Sequence, residues 1–93
     1  MTVSFYCHCS RCNGKANQLT ASQTWPQVGK TIAAPRSWPF GSLLTIEGFT
    51  NQFRVEDRLA RKYDNRIDVF VSNHKEAKQL GISQRKVRVI SEN

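Results

Sequence analysis

The stretch Phe53-Arg54-Val55-Glu56-Asp57, then Arg58 to Arg66, then Ile67-Asp68-Val69-Phe70-Val71 decides how the chain folds. Both ends carry the aromatic and β-branched side chains that pack on a pleated surface, so each reads as a strand. The connection holds Arg58, Arg61, Lys62, Asp64, Asn65 and Arg66 and reads as turn or loop. Asp57 therefore closes one strand and Asp68 falls at the start of another. Strands lying near each other would bring both carboxylates to one rim, beside several guanidinium groups. Acid–base chemistry on a glycosidic bond is often equipped in this way. Spacing alone favours a plainer arrangement, an exposed loop with two solvated acids.

Toward the N-terminus, Val3, Phe5 and Cys7 alternate with Ser4 and Tyr6, the period of a first strand. Lys30 to Ala34 reads as a short second strand, Leu43 to Glu47 as a third, and Phe49 to Asp57 as a fourth. Pro26, Pro35, Pro39 and Gly41 keep the chain between them out of regular helix. Beyond the fifth strand, Ile67 to Val71, Asn73 can cap a helix, with Glu76 three residues on and Gly81 as the stop. Ala77 and Leu80 form its inward side. Arg85 to Ile90 alternates basic and β-branched residues and makes a sixth strand. Residues 1–93 thus predict a single, mainly β domain: six short strands and one helix, closed as a barrel so that no sheet edge is left unpaired.

Fourteen Lys and Arg against seven Asp and Glu leave a formal net charge of +7. Such a balance selects anionic partners: nucleic acid, anionic lipid headgroups or the acidic polymers of a bacterial wall. The basic residues come without an arginine-rich helix or an aromatic RNA-binding signature, which argues against nucleic acid. No run approaches the roughly twenty apolar residues of a membrane span. Met1 to Tyr6 lacks the basic start and apolar block of a signal peptide. The chain therefore either stays where it is made or is a domain whose export signal has been trimmed.

Cys7, Cys9 and Cys12 crowd into six positions. Cys9 and Cys12 are spaced to close a small disulfide loop, and with Cys7 and His8 they instead offer zinc ligands. Structural zinc sites usually draw on two separated segments, and His74 is the only other Cys or His downstream. Plain thiols are the third possibility, and the spacing leaves all three open.

Asp68 lies between Ile67 and Val69. An acid in an apolar run costs free energy unless it is paired or protonated, so it calls for a reason. A salt bridge to Arg54 or Arg66 would be a structural one. Trp25 and Trp38, beside prolines, read as core plugs under loops or as platforms for sugar rings. Arg58, Arg61 and Arg66 read as solvated charges or as ligands for substrate carboxylates.

The ordered series Tyr6-Cys7-x-Cys9-x-x-Cys12-x-Gly14-Lys15, Thr20-Ala21-Ser22, Gly29 to Ala33, Pro39-Phe40-Gly41-Ser42, Ile46-Glu47-Gly48, Glu56-Asp57, Asn65 to Phe70 and Glu76-Ala77 resembles the 3D domain. That family is named for three aspartates and is related to the catalytic barrel of membrane-bound lytic transglycosylase A. The resemblance spans Val3 to Ile90, and the eleven-residue step from Asp57 to Asp68 matches the family's second and third aspartates. It implies a double-psi β-barrel acting on peptidoglycan at the cell envelope or outside the cell, with no metal or organic cofactor. Asp68 would be the general acid and then base, Asp57 its supporting like charge, and Thr20 a residue beside the groove. The product would carry 1,6-anhydromuramic acid ends.

Three positions depart from the family pattern. Ala33-Ala34-Pro35 stands where the family has Ala-Val-Asp-Pro, so the first aspartate is absent. Gln23 replaces the glycine after Thr-Ala-Ser, and Arg58-Leu59 replaces the Thr-Gly after the second aspartate. Two alternatives follow. One is a hydrolase using Asp57 and Asp68. The other is a non-catalytic module that holds wall glycan through Trp25, Trp38, Tyr63 and basic side chains such as Arg66.

Overall fold

The computed structural model describes residues 1–7 and 19–91. In chain order the strands are β1 (Thr2–Tyr6), β2 (Thr31–Ala33), β3 (Leu43–Ile46), β4 (Phe53–Asp57), β5 (Arg66–Phe70), β6 (Ser83–Gln84) and β7 (Val87–Ser91). A 3-10 turn, Arg61–Tyr63, precedes β5, and the helix α1 (His74–Leu80) follows it. All seven strands join one mixed sheet in the order β6-β1-β5-β2-β4-β3-β7. β1 and β5 run parallel, as do β2 and β4, while β5 and β2 run antiparallel between them.

The sheet curls into a half-barrel, giving extents of 31 × 27 × 25 Å. Its two outer strands, β6 and β7, are separated in sequence only by Arg85 and Lys86. Arg85 N donates to Met1 O at 3.0 Å, while Glu47 N donates to Lys86 O at 2.8 Å. This link therefore draws the β1 end and the β3 end together. The Arg85 guanidinium lies over the Phe49 ring at 5.2 Å and donates from Nη1 to Glu47 O at 3.0 Å. Gly48, with φ +94°, leaves room for it, since a Cβ there would meet Arg85 Nη1 at 2.5 Å.

Three expectations are corrected. The strands number seven, because Ser83–Gln84 pairs with Thr2 and Val3. Among the described residues no ladder joins β6 to β7, so the sheet is curled and not closed by hydrogen bonds into a six-stranded barrel. The fourth strand begins at Phe53, four residues later than its composition predicts. Gly48 turns the chain and Phe49 N donates back to Ile46 O, so Phe49 enters the core from a loop.

Alternation places Val3, Phe5, Phe53, Val55, Ile67 and Val69 on one face, where they form the main core with Ile32, Leu44 and Ile46. The opposite face of β1, β5 and β2 carries a second, small cluster of Tyr6, Phe70 and Ala33, against which Leu59 packs. The helix is capped as its sequence predicts: Asn73 Oδ1 accepts from Glu76 N at 2.8 Å, and Gly81 N closes on Ala77 O at 3.1 Å. Ala77 is buried, but Leu80 stays on the rim, 36% exposed, so only one of its two expected inward residues points in.

Candidate functional site

The second face of the sheet holds the site. Across it the register runs Ser4 on β1, Asp68 on β5, Ala33 on β2 and Asp57 on β4. Asp57 reaches that row through an irregularity. Ile32 pairs with Val55 but Ala33 pairs with Asp57, so Glu56 is skipped. A bulge of this kind re-aims the side chain that follows it. Glu56 is 6% exposed and accepts a 2.6 Å hydrogen bond from Thr31 Oγ1, while Asp57 faces the row. Above the row lies a cleft of about 460 Å³, lined by Ser4, Tyr6, Ala33, Asp57 and Asp68 on its floor, with Arg58, Leu59, Ala60, Tyr63 and Arg66 around them.

Burial governs the chemistry of Asp68. Its carboxyl is pushed up to about 6 by desolvation, against the opposing effects of the Ser4 hydroxyl and the Arg66 charge, with the Asp57 charge adding to the rise. Ser4 Oγ donates to Asp68 Oδ1 at 3.1 Å. Neither Arg54 nor Arg66 closes a salt bridge on it: among the described residues the ion pair joins Arg36 to Asp64, at 3.1 Å. An acid held in this range exchanges protons near neutral pH, as a general acid must.

Asp57 is fixed in place. Oδ1 accepts from Ala21 N and Arg58 N, both at 2.9 Å, and Oδ2 accepts from Tyr6 Oη at 3.2 Å. The Tyr6 phenol is raised well above its ordinary range by burial first and by Asp57 next, so it remains a donor. Ala21 is delivered by a turn in which Gln23 N donates to Thr20 O and Ser22 N docks on Glu56 O. Gln23 takes φ +68° there, a left-handed conformation that glycine adopts at no steric cost.

The segment after Asp57 forms the cleft wall and is tied down by arginines. Arg58 Nη1 donates to Pro35 O at 3.2 Å, and its guanidinium lies 4.1 Å from the Phe40 ring centre. Arg36 donates from N and Nη1 to Asp64 Oδ1, and from Nη2 to Leu59 O at 3.2 Å. An exposed pair of this kind contributes under about 1 kcal/mol, so its effect is chiefly positional.

The predicted residues are placed as follows. Asp57, Asp68 and Arg66 share the cleft. Thr20 is buried, its hydroxyl sharing hydrogen bonds with Ser22 and Thr24, and it supports the turn without lining the cleft. Trp38 packs against the main core, the plug reading of its sequence. Trp25 is 61% exposed and does not line the cleft. Cys7 is buried in the core. Cys9, Cys12 and His8 lie outside the described residues, and with them the zinc and disulfide readings. Among the described residues no cluster of three or more His, Cys, Asp or Glu could hold a metal ion.

Sequence reasoning missed Ser4 and Tyr6. Their signal was positional: both alternate with core residues on a strand that lies in register with Asp68. No protein-family model and no curated protein matches the chain. Among the described residues no helix is long and apolar enough to cross a membrane.

Proposed function

We propose that the cleft binds a glycan of the bacterial cell wall and cleaves it as a lytic transglycosylase does, with Asp68 as the single acid and base. The observation that carries this reading is Asp68 itself: a buried carboxyl holding its proton to about pH 6 while lining an open cleft. About one molecule in ten would still carry that proton at pH 7. The ordered resemblance to the 3D domain supports the same reading, as do the two parallel strand pairs within a mixed, curled sheet. The place of action would be the cell envelope, where such a polymer lies.

In the first step Asp68 gives its proton to the glycosidic oxygen as the bond from that oxygen to C1 breaks. The Asp68 carboxylate then takes the proton of the sugar's own 6-hydroxyl, whose oxygen bonds to C1. Water is not consumed, and Asp68 ends protonated. Ala33 separates Asp57 from Asp68 by roughly two strand spacings of backbone, about 9–10 Å. One acid with the sugar's own hydroxyl as nucleophile needs no second carboxylate. Asp57 then acts through its charge, adding a small rise to the larger one that burial produces at Asp68.

The absent first aspartate, at Ala33-Ala34-Pro35, favours a second reading in which the same cleft holds wall glycan without cutting it. Mass spectrometry of purified peptidoglycan incubated with wild type and Asp68→Asn separates the two. Anhydro-sugar ends from wild type alone support the transglycosylase. Ordinary reducing ends point to a hydrolase, and retained glycan pull-down without products leaves the binding module.

A further inference from the structure

Arg66 stands two residues before Asp68 on β5, on the same face, and lines the same cleft. Its guanidinium carbon lies 4.6 Å from the Tyr63 ring centre, and stacking of this kind holds the plane of the fork. Arg66 Nε is buried and has no hydrogen-bond partner among the described residues. An N–H of a cation left unpaired in the interior is costly and calls for an acceptor. The carboxylates nearby do not supply one. Asp57 is occupied by three donors, Asp68 Oδ1 accepts from Ser4, and neither forms an ion pair with Arg66. Arg58, on the neighbouring wall, is committed to the carbonyls of Ala34 and Pro35.

We propose that Arg66 seats a carboxylate of the substrate, so that the cleft selects acidic glycans over neutral ones. The inference rests on the glycan reading above and adds the chemical class. A guanidinium fork matches a carboxylate through two parallel N–H bonds, one of which the Nε–H would make. The carboxylate belongs to a substituent of the sugar: the free lactyl acid of a muramic residue, or the terminal carboxylate of a peptide attached to it. Both present the same group to Arg66 and differ in reach.

The test uses the full chain carrying Asp68→Asn, so that ligands survive. Nitrogen-15 NMR follows the Arg66 Nε–H resonance during titration with a muramic disaccharide as free acid, as its methyl amide, and with a peptide attached. Calorimetry gives the affinities. The free acid or the peptide-bearing ligand should shift Nε–H and bind about tenfold or more tighter than the amide. Whichever of the two does so identifies the source. Arg66→Gln should remove the preference and Arg66→Lys should keep part of it. Equal affinity for acid and amide, or a preference that survives Arg66→Gln, overturns the carboxylate seat while leaving glycan binding intact. Absence of binding by every sugar, amide included, overturns the glycan reading, and if acetate also leaves Nε–H unshifted it overturns this inference with it. If acetate still shifts Nε–H in that case, the carboxylate seat stands alone.

Discussion

Asp57 and Asp68 stand in one transverse row of the sheet, with Ala33 of β2 between them and in register with both. Only a methyl group stands between the two acids along the floor of the cleft, and a larger side chain there would fill the space that the proposed glycan would take. Ala33→Leu should therefore cut glycan retention about tenfold or more while keeping both acids in the chain. Overpacking beside Tyr6 and Phe70 should cost about 1–3 kcal/mol. Pull-down on peptidoglycan, with thermal denaturation to establish folding, measures both. Unchanged retention would place the glycan elsewhere.

Asp68 links stability to pH. Its folded-state value of about 6 lies above the ordinary 3.8, so the folded chain holds the proton more tightly than the unfolded chain does. That contribution is complete below about pH 4 and is lost as pH rises through 6, a change of about 3 kcal/mol. Asp68→Asn cannot ionise. Urea denaturation should find it close to wild type at pH 4 and more stable by up to about 3 kcal/mol at pH 8. Equal stability at both pH values would contradict the burial of this carboxyl.

Tyr6→Phe removes the phenol that donates to Asp57 and leaves the backbone donors of Ala21 and Arg58 in place. The expected cost is about 1–2 kcal/mol, read as a shift in the urea midpoint with an unchanged slope. A neutral substitution would mean that the hydrogen bond adds nothing to folding.

Gln23→Gly addresses the left-handed residue in the turn that carries Ala21 to Asp57. Relief of the steric penalty at φ +68° should outweigh the added freedom of the unfolded chain and stabilise the protein by about 0.5–1 kcal/mol. Thermal unfolding reads the change, and a lowered midpoint would show that Gln23 is unstrained.

Much of the sheet is legible in the sequence because Val55, Ile67 and Val69 alternate with polar residues at the period of a strand. Asn73 and Gly81 mark the helix for an equally local reason, since caps act within a single turn. What stays hidden is set by pairing. Ser83 and Gln84 have no strand composition and become β6 only because Thr2 and Val3 offer an edge. Tyr6 looks like the wet side of β1, yet it is 5% exposed, because Phe70 and Ala33 cover that face as well. The meeting of Asp57 with Asp68 depends on the skipped Glu56, and a bulge leaves no mark in composition. Gln23 is visible in the sequence, but its left-handed conformation shows only in the backbone angle.

The cleft is expected to raise the Asp68 carboxyl well above the ordinary range, so that a minor protonated fraction persists at neutral pH. Carbon-13 NMR titration of the Asp68 carboxyl, with and without Asp57→Asn, tests it most directly. The expected midpoint is near 6 in the wild type and moves lower when Asp57 loses its charge. A midpoint near 4 in the wild type, unmoved by Asp57→Asn, would contradict it.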